Sequence, residues 1–261
     1  MKLETLLAAI VAACPSVACQ DMVGVDWTGE IYALDSFTGA AEQIGYGQFG
    51  QNCLARDAAG TLWSSAALIG GTAPPYFLSR VDPVSGTAVP MFPAHDMRGL
   101  AAGGGSDLYA VALEAGHNVL YRFNTATGSE TRIGAAAVGG IQALAMHNGV
   151  LYGWDLNIGL GVLDRATGAF TDVNPAINGG PIQWLTERSD GQLIGGWFSL
   201  AVIDTATGVA TPYALTTDHD PNDPSEKVAV SRTTKPVPPL HWKSRTPMNT
   251  PWVRVNAFQV C

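Results

Sequence analysis

Residues 164–168 read Asp-Arg-Ala-Thr-Gly, and forty positions later residues 204–208 read Asp-Thr-Ala-Thr-Gly. The same pattern of Asp or Asn, two variable residues, Thr or Ser, then Gly recurs at Asp35–Gly39, Asp82–Gly86 and Asn124–Gly128. The five glycines stand 47, 42, 40 and 40 residues apart, a period typical of chains that repeat one supersecondary unit. Each copy carries the chemistry of a tight reversal. Asp or Asn accepts hydrogen bonds from the backbone amides just ahead, Thr does so more weakly, and Gly supplies a positive φ. Asn124 replaces the carboxylate in one copy, which suits a turn and weakens any reading as a metal site.

Upstream of each turn the order also repeats. Cys53-Leu-Ala, Gly99-Leu-Ala, Ala143-Leu-Ala and Trp184-Leu-Thr lead into Gly-containing turns. Thr61-Leu-Trp, Asp107-Leu-Tyr, Val150-Leu-Tyr and Gln192-Leu-Ile follow, then a third apolar segment, the turn, and a fourth segment such as Glu130-Thr-Arg-Ile. Four short strands per unit predict an all-β fold, a propeller of four-stranded blades over residues 22–215 with five recognisable repeats. In the first repeat, Met22-Val-Gly-Val-Asp26 aligns without gaps onto Leu151-Tyr-Gly-Trp-Asp155. Its inner strand would then have to come from the other end of the chain.

On these residues the sequence resembles the secreted β-propeller repeat proteins of the WD40/YVTN/quinoprotein-like group. Ile31-Tyr-Ala-Leu-Asp-Ser-Phe-Thr-Gly39 is similar to the quinoprotein repeat, but Gln43 stands where that repeat has a Trp, and no copy carries the Trp. The resemblance implies a fold and leaves activity open, since one fold hosts many functions.

Outside the repeats, residues 1–18 have the pattern of a signal peptide: Lys2, an apolar run from Leu6 to Ala13, and Ser16 and Ala18 at the −3 and −1 positions. Cys14 and Cys19 each follow a sequence like the lipobox of bacterial lipoproteins, which makes Cys19 a candidate for lipidation. The expected location is the exterior, the periplasm or the cell surface. Residues 216–261 form a Pro-rich tail in which Trp252–Val260 alternates well enough to be a closing strand. A linker and a truncated chain are the alternatives. The formal net charge of −8 argues against nucleic acid as a partner, and the leader is too short to span a bilayer.

Four polar residues precede the inner-strand leucines at equivalent positions: Asn52, Arg98, Gln142 and Gln183. By the resemblance, they should converge on one mouth of the central channel. Lactonase-like propellers place carboxylates there to hold calcium, whereas these four include none. Arg98 among amides suits a small polar or anionic ligand. Trp154, Asp155 and Trp197 fall in or beside connections on the same face and complete the candidate ligand set. Gly45–Gly50 matches a dinucleotide fingerprint on paper but precedes a strand. Asp218–Asp223 begins like a calcium loop without its Gly and Glu. No catalytic residue, cofactor or metal ligand is assigned. The expected function is a non-catalytic module that binds a ligand or protein through that face. The alternatives are a propeller enzyme of hydrolase, lyase or quinoprotein type, or a truncated product without activity of its own.

Overall fold

The computed structural model describes residues 21–48, 50–69, 73–134, 140–197, 199–215 and the backbone of 255–260. The leader, Cys14 and Cys19 lie outside the described residues, as does most of the tail. The first sheet holds β1 (Met22–Asp26), β2 (Glu30–Leu34) and β3 (Ala41–Tyr46). The second runs β4 (Cys53–Arg56), β5 (Leu62–Ile69), β6 (Ala73–Asp82), β7 (Thr87–Ala94). In the third, β8 (Asp96–Gly104), β9 (Asp107–Glu114), β10 (His117–Asn124) and β11 (Ser129–Ile133) follow one another. The fourth contains β12 (Ile141–His147), β13 (Val150–Asp155), β14 (Gly159–Leu163) and β15 (Phe170–Asp172). The fifth contains β16 (Trp184–Glu187), β17 (Leu193–Gly196), β18 (Ser199–Ile203) and β19 (Ala210–Leu215). The last strand, β20 (Val255–Val260), returns to the first sheet and pairs antiparallel with β1, so that sheet runs β20-β1-β2-β3.

Each sheet is a four-stranded antiparallel meander, and the inner strands form a closed circle. β4 lies against β8, β8 against β12 and β12 against β16, while β20 lies between β16 and β4. The protein is a five-bladed β-propeller.

Its apolar interior sits between the blades. The second strands are largely buried, most completely in β1, where all five residues are buried. The fourth strand is wet, as in β11. Met22, Val25, Ile31 and Leu34 of the first blade pack with Leu54 and Val81 of the second and with Trp184 and Leu200 of the fifth. Three further clusters join blades two and three, three and four, and four and five.

The repeated pentapeptide is the turn between third and fourth strands. Asp164 Oδ1 accepts from the amides of Ala166 and Thr167, both at 2.8 Å, and the Gly168 amide donates to the Asp164 carbonyl at 2.8 Å. Asn124 makes the same contacts through Oδ1, at 3.1 Å each, which explains why the amide substitutes for the carboxylate. These backbone hydrogen bonds hold the Asp164 and Asp204 carboxyls below the usual range.

Each turn also docks backwards onto the preceding blade. Gly86 lies against Gly45 of β3, Gly128 against Phe92 of β7, and Gly168 against Ile133 of β11. In the first blade Gly39, at φ +76°, lies against the carbonyl of Leu215 at the end of β19. The ring is therefore closed twice, by β20 inside and by Gly39 at the rim.

Asp26 ends β1 with no exposed surface. It accepts hydrogen bonds from Thr28 Oγ1 at 2.8 Å and from the Glu30 amide at 2.7 Å, yet burial raises its carboxyl from 3.8 to about 6. The folded pKa exceeds the unfolded one, so stability from this group is full below about pH 4 and is lost as pH rises through 6. Asp26→Asn keeps an acceptor for the Glu30 amide and removes the buried charge. It should stabilise the protein at pH 7.5 by on the order of 2 kcal/mol. Urea unfolding of both proteins at pH 4 and pH 7.5 checks this; an equal difference at the two pH values would show that the charge is not responsible.

Candidate binding face

The inner strands begin with an irregularity that has a chemical consequence. In β8, Met97 pairs with Ala112 and Gly99 with Val111, leaving Arg98 as an extra residue. In β12, Ile141 pairs with Asp155 and Ala143 with Trp154, leaving Gln142 extra. At the start of the other two, the amides of Asn52 and Gln183 donate to the Ser65 and Gly196 carbonyls, which also face Cys53 and Trp184. A β-bulge re-aims one side chain without ending the strand. Asn52, Arg98, Gln142 and Gln183 accordingly line one space, together with the strand residues that follow them.

That space is small. Its volume is about 10 Å³, room for about one water. Its charge is also compensated. An Arg98 terminal nitrogen donates to Asp96 Oδ2 at 2.5 Å, while the buried Arg98 Nε has no hydrogen-bond partner among the described residues. Asp96 escaped the sequence reading, although a residue two positions away on a strand is an obvious neighbour. Cys53 lines the same space at 3% exposure, and burial pushes its thiol up to about 12. It is a thiol, not a thiolate, at neutral pH.

The other three candidates lie elsewhere. Trp154 is 2% exposed and its indole donates to the Gly180 carbonyl at 2.9 Å. Asp155 is fully buried: Oδ1 accepts from the amides of Asn157 at 2.8 Å and Ile158 at 3.1 Å, and Oδ2 has no hydrogen-bond partner among the described residues. Asp155 thus shapes the β13–β14 turn.

Trp154 and Trp197 share a groove between blades four and five. Its volume is about 390 Å³, and Ile177, Pro181, Ile182 and Val209 supply much of its apolar wall. This size falls in the range of small-molecule sites. Pairing alone predicts no such groove, because one wall is the irregular 173–183 connection and another is the last turn. The sequence signal was indirect: Asn178-Gly-Gly-Pro181 sits in a long connection.

Two histidines are held by carboxylates, His95 Nδ1 by Glu130 and His147 Nδ1 by Glu187, both at 2.7 Å. Among the described residues no three His, Cys, Asp or Glu side chains are grouped to hold a metal ion. No helix among them is long and apolar enough to cross a membrane.

No family model matches the chain, and no curated protein matches it. Among solved structures it is similar to TolB from Acinetobacter baumannii, with 12% identity over 73% of this chain and 51% of that one, at a TM-score of 0.49. It is similar to a glutaminyl cyclase of Myxococcus xanthus, with 20% identity over 64% and 68% of the two chains, at a TM-score of 0.44. A gluconolactonase from Xanthomonas campestris shares 14% identity over 67% of each chain, at a TM-score of 0.42. The chain spans about half the length of the TolB structure. What the protein shares with the β-propellers is the fold, and its own five closed sheets establish that.

Proposed function

We propose that the protein is an exported, non-catalytic recognition module that binds through the face where its inner strands begin. The observation that carries this reading is the apolar groove of about 390 Å³ beside Trp154 and Trp197. Trp154 is a fixed wall, tied to the Gly180 carbonyl. Trp197 is the more exposed of the two and offers a surface for a planar group or the C–H face of a sugar ring. The Arg98–Asp96 pair removes the net charge that would favour an anion at the channel mouth. The polar ring then suits an uncharged group.

The test uses calorimetry with neutral and acidic methyl glycosides and N-acetyl aromatic amino-acid amides. A neutral compound carrying a ring should bind best. Trp197→Ala should weaken it at least tenfold, or about 1.4 kcal/mol. Val209 is 39% exposed at the groove, so Val209→Arg should obstruct binding without lowering the melting temperature. Unchanged affinity in both variants would remove the groove as the site.

A further inference from the structure

The irregular wall of the groove between blades four and five is held at three points. Asn174 Nδ2 donates to the Thr207 carbonyl at 3.0 Å, the Gly179 amide to the Asn157 carbonyl at 2.9 Å, and the Trp154 indole to the Gly180 carbonyl at 2.9 Å. Gly179 also lies so close to the Leu156 carbonyl that a side chain would not fit there. Asn178 stands between these anchors, exposed and facing the groove. Among the described residues that line the groove, none is ionisable. Apart from the two indoles, its polar side chains are those of Asn178 and Ser199. Neither of these side chains forms a hydrogen bond with a described residue.

We propose that the ligand of this groove is an uncharged aromatic amide, with its ring against Trp197 and its amide hydrogen-bonded to the Asn178 side chain. The assignment rests on the groove being the binding site. A charged group would give up its hydration and meet no counter-charge on the wall. A sugar carries hydroxyls around its whole edge, and two neutral side chains leave most of them without a partner. An aromatic amide gathers its polarity into one donor and one acceptor, and a carboxamide side chain matches both. Asn178 thereby sets specificity, while Trp197 supplies contact area. Because the wall is already held in place, little ordering opposes binding.

Ligand-observed NMR titrations of the full chain test this with N-acetylphenylalaninamide, free phenylalanine, phenyl β-glucoside and toluene. The blocked amino acid should bind about tenfold tighter than the free one or the glucoside. Asn178→Ala should weaken the blocked amino acid about fivefold, the worth of one neutral hydrogen bond. The same variant should leave toluene, the ring without the amide, unchanged. Toluene thus reports whether the wall is intact, and an equal loss for both ligands would overturn the role of Asn178. Tightest binding of the glucoside or of free phenylalanine would overturn the amide class and leave the groove as the site. Affinities that Trp197→Ala leaves unchanged for every compound would remove the groove itself, and the amide assignment with it.

Discussion

A chain ending at Arg254 should lose cooperative unfolding near room temperature. Removing β20 strips β1 of its partner along Met22–Asp26, all five residues of which are buried. It also removes the strand that stands between β16 and β4 in the inner circle. Each ladder hydrogen bond is worth about 1 kcal/mol net, and an orphaned buried backbone group costs more. Loss of apolar burial adds about 25 cal/mol per Å². Together these approach the whole 5–15 kcal/mol by which a domain is ordinarily stable. Urea unfolding followed by tryptophan fluorescence would show it, and a peptide of residues 250–261 added in trans should restore the transition by strand addition. A truncated protein that unfolds at the native midpoint would mean that β20 contributes nothing to the ring.

The second large effect is expected at Gly39, where two costs coincide. Its φ of +76° disfavours any side chain, and a Cβ there would lie 2.3 Å from the Leu215 carbonyl oxygen. Gly191 isolates the first cost: its φ is +80° and no atom of the described residues lies within 4 Å of the corresponding Cβ. Gly191→Ala should therefore cost about 1–2 kcal/mol, the left-handed penalty alone. Gly39→Ala should cost about twice as much or more, because blades one and five must separate at the rim. Chemical denaturation of the two variants compares them directly. Equal losses would show that the Gly39–Leu215 contact is slack and that the rim does not take part in closure.

The parts of this fold that were legible in the sequence are those fixed by local chemistry. The Asp-x-x-Thr-Gly turns declare themselves because side chain, backbone amide and positive φ all act within five residues. The four ring positions were legible by equivalence: the same place in each repeat must reach the same place in space. The register of β20 was not, because the fifth copy is cut in two and only the pairing with β1 reveals it. Asp96 is not legible by equivalence, because its counterparts two residues before the other ring positions are Gly50, Gly140 and Pro181. Trp154 and Asp155 sit at the end of a second strand whose last three residues are all buried. Their position in a connection therefore suggested more exposure than they have. The groove depends on how the 173–183 connection crosses from one sheet to the next, which no periodicity encodes.

Backward docking of each turn gives the ring a direction in time. As the chain lengthens, the third, fourth and fifth blades each find a finished neighbour to lean on, and the second leans on β3 of the first. The first blade finds nothing. Its rim contact, Gly39, must wait for Leu215, and its inner edge, β1, must wait for β20, more than two hundred residues away. Contacts of such long range are entropically slow to form. A growing chain should therefore keep an unfinished blade until its last strand arrives. That delay makes the arrival of β20 the step that commits the ring.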